Sequence, residues 1–448
     1  MSETIAARAP LGRRFLTVWA GQTVSAIGST LSGVGVAVHV FVETGSAAWL
    51  GLLGALASIP FLLTAPLLTL TDRFRRRSVM IWADTFAVVG PAVAFVLALT
   101  GRLEVWHLAV AGFLGGVGTS FQWPAVQAAI PELVEPEALG RANGLNQLGP
   151  AAGIVLGPVL ATPLVAWWGI EAVLLVDLIT FAIAVGATLI VKFGDATDDS
   201  DVADDGSWRA LWAWLRRDGR PLIVLLAVMA AVNFFLAFFN ISLLVLATEL
   251  GGVARAGLVL GAGGAAMVVG SLISARRGVG ADRVGTFASA LLLAGVGFLV
   301  ASAYPSFVLM IVGVVIALGS FPAVNAAVST VYHERVPASM HGRMFGLRTS
   351  IGRALEPVGA VVAGVIVAHV AEPGLADDGR LVGSIGAILG TGTGRGAALT
   401  LAVVGLILIG IGIWLAQSTL RRQLAVGPAP ADGSVSDAVS ELVGVTGV

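Results

Sequence analysis

The sequence predicts an all-α membrane protein of twelve transmembrane helices, arranged as two six-helix bundles related by pseudo-symmetry. Three observations carry this. Most of the chain consists of long apolar segments, each close to the length that crosses a bilayer. The stretch Pro124, Ala125, Val126, Gln127, Ala128, Ala129 reappears as Pro322, Ala323, Val324, Asn325, Ala326, Ala327, and Gly140-Arg141-x-x-Gly144-Leu145 reappears as Gly342-Arg343-x-x-Gly346-Leu347. Finally, the arginines fall on alternate loops. Two like-ordered copies of a membrane-embedded half are how many secondary transporters are built, with the substrate path between them.

Of the 448 residues, 57% are hydrophobic and 12% charged, whereas a soluble domain carries about 25% charge. So few charges cannot make a water-facing surface, so the lipid bilayer is the expected partner for much of it. The chain has no cysteine, which excludes disulfides, thiolate metal sites and a cysteine nucleophile. The net charge of −1 gives no bulk attraction for nucleic acid, and no nucleic-acid partner is expected.

The spans are predicted at 15–41, 47–70, 79–100, 105–130, 142–168, 171–192, 221–248, 255–274, 284–303, 306–331, 343–370 and 396–416. Residues 1–192 form the first bundle and 221–422 the second. Between them, 193–220 is a cytoplasmic linker, and 423–448 is a flexible cytoplasmic tail. The linker opens with an aspartate-rich, solvated stretch, without the EF-hand pattern. It then interleaves tryptophan and arginine over Trp208–Arg217, which suits a short amphipathic helix at the membrane interface. The glycine-rich loop 371–395 is expected to be poorly ordered. The glycines of 255–274 suit close helix packing. A Walker-type ATP loop is excluded there, because no Gly-Lys-Ser/Thr follows and the only lysine is Lys192. The first span lacks a small-residue cleavage site and reads as a retained helix.

Counting loops, 20 arginines and lysines lie on one side and 4 on the other. By the positive-inside rule both termini are cytoplasmic. The expected location is the inner (plasma) membrane, with the protein a monomer.

Charges within the spans cost several kcal/mol unless paired or hydrated, so each is a functional candidate. Glu356 falls near the middle of the eleventh span, three residues from Arg353, and the two are surface neighbours on one helix. An internal salt bridge and a proton-coupling carboxylate facing a wet cavity are both open for this pair. Asp177 lies in the outer half of the sixth span and is a further coupling candidate. Asp84, one turn inside the third span, is near enough to Arg75–Arg77 to act as a structural latch. Asn233 and Asn240 share a helical face within about 20°, flanked by Phe234, Phe235, Phe238 and Phe239. That polar stripe with aromatic neighbours suits a cavity for a large, mostly apolar ligand, and helix packing accounts for it equally. Gln22, Asn146 and Gln147 are similar cavity candidates.

Between the second and third spans runs Asp72-Arg73-Phe74-Arg75-Arg76-Arg77. A carboxylate at a helix end can face the positive N-terminus of a neighbouring helix. This loop resembles the Asp-Arg-x-Gly-Arg-Arg/Lys signature of the major facilitator superfamily, matched by Asp72, Arg73, Arg76 and Arg77, with Arg75 where glycine is usual. The resemblance implies a latch between the two halves made by Asp72, Arg73 and Arg76. Arg276, Arg277, Asp282 and Arg283 form a degenerate second copy. The fifth span reads Gly144-x8-Gly153-x3-Gly157-Pro158-x2-Ala161-Thr162 and resembles the antiporter motif of the family's exporters, where Gly-Gly is usual in the last pair. The stretch from Phe121 to Leu145 is similar to the branch containing the enterobactin exporter and macrolide efflux proteins.

The expected function is therefore secondary active transport by alternating access. Its expected form is proton-coupled efflux of a hydrophobic or amphipathic small molecule, a drug or siderophore, powered by the proton gradient without a cofactor. A proton-coupled nutrient importer is the nearest alternative. A transport-dead receptor or scaffold is the alternative of a different class. No metal cluster or catalytic constellation points to an enzyme, so no catalytic or metal-ligating residues are assigned.

Overall fold

The computed structural model describes residues 11–61, 76–135, 138, 142, 145, 146, 148–191, 193, 208–277, 280, 282–337 and 340–425. The first half comprises α1 (Arg13–Thr44), α2 (Ala47–Ser58), α3 (Arg76–Leu99), α4 (Val105–Leu133) and α5 (Leu148–Ile190). A short α6 (Trp208–Arg217) leads into the second half: α7 (Arg220–Arg277), α8 (Arg283–Ser302), α9 (Phe307–Arg335), α10 (His341–Ala354) and α11 (Glu356–Ile366). A π-helical turn, Val367–Ala371, follows, then α12 (Glu372–Leu375), α13 (Gly386–Leu389), α14 (Arg395–Gln417) and α15 (Thr419–Ala425).

Nine helices among the described residues are long and apolar enough to cross a membrane, and Ala47–Ser58 is a shorter apolar one. Twelve spans were expected. Three local reasons separate the two numbers. α5 runs continuously through two expected spans, broken only at Gly169 (φ 76°, ψ −176°). The end of the second expected span lies outside the described residues. α4 covers the fourth expected span but carries His107, Thr119, Ser120 and Gln122, which make it more polar. In α7 the same kind of break occurs at Gly252 (φ 70°, ψ 168°). Only glycine adopts these left-handed values without strain, so each reverses the chain with no loop at all.

Side chains sort as lipid exposure requires. Trp106, Trp167 and Trp168 are exposed at the end that carries the Gly169 turn, and Trp82 and Trp414 lie toward the other. Tryptophan at both ends of a bundle is the pattern of the two membrane–water interfaces. α6 has one apolar face. Leu211 and Leu215, four apart, are fully buried in the core of the second half, whereas Trp212 is exposed.

Lipid offers no hydrophobic drive for helices to associate, so contact depends on close backbone approach at small residues. Gly21, Gly28 and Gly35 recur every seven residues along α1 and face α5. A Cβ on Gly21 would lie 2.6 Å from Ala187 Cβ, and one on Gly35 2.7 Å from Val173 Cγ1. Gly153 and Gly157 return the contact against Thr30. In the second half, a Cβ on Gly297 would lie 2.6 Å from both Ala317 N and Gly313 O.

The two halves meet through the same device, near the end that carries the Gly45, Gly169 and Gly252 turns. A Cβ on Gly364 would lie 2.6 Å from Ala47 O, and Gly51 backs onto the Ala360 carbonyl. Across the other seam, a Cβ on Gly264 would lie 2.6 Å from Ile154 O, and one on Gly257 2.5 Å from Pro158 O.

The loop at 371–395 corrects the expectation of poor order. Glu372 accepts hydrogen bonds from Gly394 N (3.1 Å) and Ala397 N (2.8 Å), meeting N–H groups that the start of α14 leaves unpaired. Arg395, 2% exposed, donates through Nη1 to Leu389 O at 2.8 Å. The glycines supply turns, and these buried charged groups fix them.

At the opposite end, Asp282 caps α8 by accepting from Gly285 N (2.7 Å) and pairs with Arg421 of α15, whose Nε lies 2.7 Å away. Arg283 pairs with Glu334 at 2.7 Å. The degenerate second-half loop is thus fastened to the C-terminal helix. The Arg421 hydrogen bond holds the Asp282 carboxyl below its ordinary value, against an opposing effect of burial, and Gly285 N–H acts with the arginine. A lowered folded value means that the pair's stabilisation is whole above the unfolded value of about 3.9 and is lost as pH falls through the folded one. Hydrogen exchange over residues 419–425 is therefore expected to stay slow at neutral pH and to quicken below about pH 4. Asp282→Asn should quicken it already at neutral pH. Equal protection in both proteins would remove Asp282 as the fastening group.

Candidate functional site

A cavity of about 370 Å³ lies between the halves, within the range of small-molecule sites. The first half contributes Ser29 and Ser32 of α1, Leu50 and Gly54 of α2, Pro91 of α3, and Asp177 and Phe181 of α5. The second half contributes Ala237, Asn240 and Leu244 of α7 with Glu356 and Ala360 of α11. The walls are mostly apolar, with two carboxylates, one amide and a few hydroxyls.

Glu356 stands where the eleventh span breaks. α10 ends at Ala354 and α11 restarts at Glu356, with Leu355 between them at φ −88°, ψ −9°. Pro357 is the local cause: it has no N–H, so the carbonyl four residues earlier loses its helical donor. Glu356 then occupies the first turn of a new helix, where the macrodipole favours negative charge. Arg353, near the end of α10, and Glu356, at the start of α11, flank this turn. The Arg353 side chain lies outside the described residues.

Asp177 is 3% exposed. Ser29 and Ser32 approach its carboxylate from α1 as hydrogen-bond donors, and Oδ1 has no hydrogen-bond partner. Thr180 Oγ1 turns back onto the Asp177 carbonyl at 2.8 Å, which leaves the carboxylate to the cavity.

Asp84 lies elsewhere, fully buried among α1, α3 and α4. Gln22 Nε2 donates to Asp84 Oδ2 at 3.1 Å, Gln122 Nε2 donates to Asp84 Oδ1, and Gln122 Nε2 also donates to Gln22 Oε1 at 2.7 Å. An unmet buried polar group costs about 1–3 kcal/mol, so the three side chains hold one another in place. Two expectations change here. Asp84 is bonded to glutamines, while Arg77 reaches the Thr188 and Leu189 carbonyls at 3.2 and 2.6 Å and closes the end of α5. Gln22 belongs to this cluster and not to the cavity.

The other expected residues divide. Asn240 is exposed into the cavity. Asn233 is half-buried and faces Gly352, whose Cβ would lie 3.2 Å from its Nδ2. Phe238 is buried in the core of the second half, with ring centroids 5.3 Å from Phe234 and 5.9 Å from Phe235, which corrects its placement as a cavity residue. Asn146 is buried beside Leu145, whose carbonyl accepts from Trp19 Nε1 at 2.9 Å. Gly153, Gly157 and Pro158 of the expected antiporter motif are packing surfaces, the glycines against α1 and the Pro158 carbonyl against Gly257 of α7. Asp72, Arg73, Gly144 and Gln147 lie outside the described residues, as does the Arg76 side chain.

The sequence reading missed Ser29, Ser32, Pro91, Phe181 and Gln122. The hydroxyls of α1 carried a usable signal, because Ser25, Ser29 and Ser32 repeat at helical spacing along an otherwise apolar span. Arg348 was also passed over. Its Nη1 donates to Ser329 Oγ at 2.7 Å and its guanidinium lies 5.7 Å from the Tyr332 ring centroid.

Comparison with known proteins agrees with this geometry. Macrolide efflux protein A of Streptococcus pyogenes is 25% identical over 365 residues, covering 80% of this chain and 90% of that protein. Its namesake from Enterococcus faecalis is 24% identical over 312 residues, covering 68% and 96%. The crystal structure of a bacterial homologue of the human lysosomal transporter Spinster superposes with a TM-score of 0.70 at 16% identity, covering 93% of this chain and 98% of that one. The profile of the Major Facilitator Superfamily matches residues 18–360. This is a multi-pass membrane transporter of a small molecule and not an enzyme, and the chain belongs to the Major Facilitator Superfamily.

Proposed function

We propose that this protein exports a hydrophobic or amphipathic small molecule across the plasma membrane in exchange for protons. The observation that carries the reading is a cavity between the halves, with mostly apolar walls that Asp177 and Glu356 reach from opposite sides. An apolar chamber holds an apolar guest, and a carboxylate inside it is the group that takes up or releases a proton. The named relatives are macrolide efflux proteins, which favours export. No cofactor enters this scheme, because the proton gradient supplies the energy. The protein acts as a monomer and has no nucleic-acid partner.

The packing between halves gives the cycle its form. With the arginine-rich loops and both termini in the cytoplasm, the glycine seams at Gly51, Gly257, Gly264 and Gly364 close the outer side. The complementary latch is Asp72, Arg73 and Arg76 in the cytoplasmic loop. Rocking of the halves exchanges one closure for the other. Glu356 is the coupling carboxylate, with Arg353 tuning it, and Asp177 is the second carboxylate of the exchange.

Two measurements test this. Cells expressing the protein are loaded with fluorescent amphipathic dyes and siderophores, and efflux is followed with and without a protonophore. Export that the protonophore abolishes is expected for at least one compound, and Glu356→Gln should reduce it to the protonophore-treated level. Full proton-dependent efflux by the variant would refute the assignment of Glu356. The rocking motion is tested in the cysteine-free chain by pairing Gly54→Cys with Ala360→Cys. Their Cβ positions lie 3.5 Å apart, within the disulfide range of about 3.5–4.5 Å. The oxidised double variant should lose efflux and regain it on reduction. Undiminished efflux from the cross-linked protein would rule out motion of the halves at this seam.

A further inference from the structure

The cavity is chemically one-sided. Among the described residues that line it, the ionisable ones are Asp177 and Glu356, and none is an arginine, lysine or histidine. Asp177 also stands apart from the other buried carboxylate of the first half. Asp84 has amide donors on both oxygens, whereas Asp177 Oδ1 is buried and accepts no hydrogen bond. A buried carboxylate oxygen without a donor is costly, and more so in a lipid-embedded core. The donor must then come from outside the chain, and the cavity is the route by which it arrives.

The surroundings restrict what that donor is attached to. Ser29 and Ser32 of α1 line the cavity together with the carboxylate. Beyond it the walls are Leu174, Phe181, Leu244 and Ala360, with Asn240 as the one amide. A guest with an apolar body and one cationic N–H donor satisfies both parts at once. An anionic guest, a carboxylate or catecholate of the siderophore kind, brings an acceptor and a like charge to the Asp177 oxygen that lacks a donor.

We infer that this cavity selects amphipathic compounds bearing a protonated amine, with Asp177 Oδ1 accepting the ammonium hydrogen bond. The inference rests on the efflux reading and narrows its substrate class to cations. It also gives Asp177 a defined part in the exchange, because a proton and the substrate ammonium compete for the same oxygen.

The test uses a matched pair of probes, a dansyl pentylamine and its N-acetylated form, which share an apolar body and differ by the cationic centre. Binding to the purified full-length protein in lipid nanodiscs at neutral pH is read from dansyl fluorescence. Protonophore-sensitive efflux of each probe is measured in cells. A charge-assisted hydrogen bond is expected to favour the amine by about tenfold or more. Asp177→Asn is expected to bring amine binding down to that of the acetamide. Equal binding of the two probes to the wild-type protein overturns the inference, whether or not the variant folds. A preference for the amine that survives in Asp177→Asn overturns the assignment to Asp177. Efflux of the acetamide as fast and as protonophore-sensitive as that of the amine leaves the export reading standing and removes only the cation selectivity. Neither probe bound and neither exported overturns both.

Discussion

In a bilayer, an apolar helix gains nothing by leaving lipid for the side of another apolar helix. That constraint shapes every contact in this molecule. Association has to come from close backbone approach, and glycine is the residue that permits it. Gly21, Gly28 and Gly35 seat α1 against α5, Gly153 and Gly157 return the contact, and Gly297 and Gly313 do the same for α8 and α9. The contacts between the halves use the same chemistry, glycine against a carbonyl, at Gly51, Gly257, Gly264 and Gly364. At these glycines the contact is backbone against backbone, which fits closely without a charged pair among the described residues that form it. Rigidity within a half and reversibility between halves thus come from one packing rule used at different extents.

Against that apolar background the polar groups divide into those that are satisfied and those that are not. Asp84, Gln22 and Gln122 close on one another, and Glu372 serves the N–H groups at the start of α14. These clusters join helices of the same half. The carboxylates at the cavity are of another kind. Asp177 has hydroxyls on one side and an unmatched oxygen on the other, and Glu356 begins a helix that Pro357 has interrupted. An oxygen left without a partner within the chain, as at Asp177, binds what enters from outside, and both carboxylates line the cavity between the two halves.

Much of this was legible in the sequence, for reasons that differ by feature. The spans were legible because lipid allows a backbone few ways to satisfy its own hydrogen bonds, so long apolar runs read as helices. Glu356 and Asp177 were legible because an acid in such a run is conspicuous. What those acids meet was not. Asp84 was matched with arginine because Arg75–Arg77 lie close along the chain, yet the rotation of α3 turns it toward Gln22 and Gln122. That rotation depends on which helix packs where, which no single span records. Pro357 stood next to Glu356 in plain view, and its missing N–H was enough to predict the break between α10 and α11. Loop 371–395 misled in the opposite direction. Its glycines suggested disorder, while Glu372 and Arg395, far enough apart to look unrelated, hold it together.

In the proposed exchange, the position of Glu356 relative to the seam at Gly51 links coupling to motion. Ala360, one helical turn further along α11, lines the cavity with its side chain and presents its carbonyl to Gly51. Glu356 therefore stands one turn inside the seam, on the helix that forms it. An ionised carboxylate at that point draws water toward the closure and resists being sealed in an apolar chamber, whereas a protonated one does not. In that proposed cycle, charge at Glu356 acts on the same seam that opens and shuts for substrate. Because the seam is glycine against carbonyl, with no ion pair among the described residues of its close contacts, a change of one charge beside it is large by comparison with what holds it shut. A seam built from salt bridges would ask more of each proton in the proposed exchange than this apolar glycine contact does.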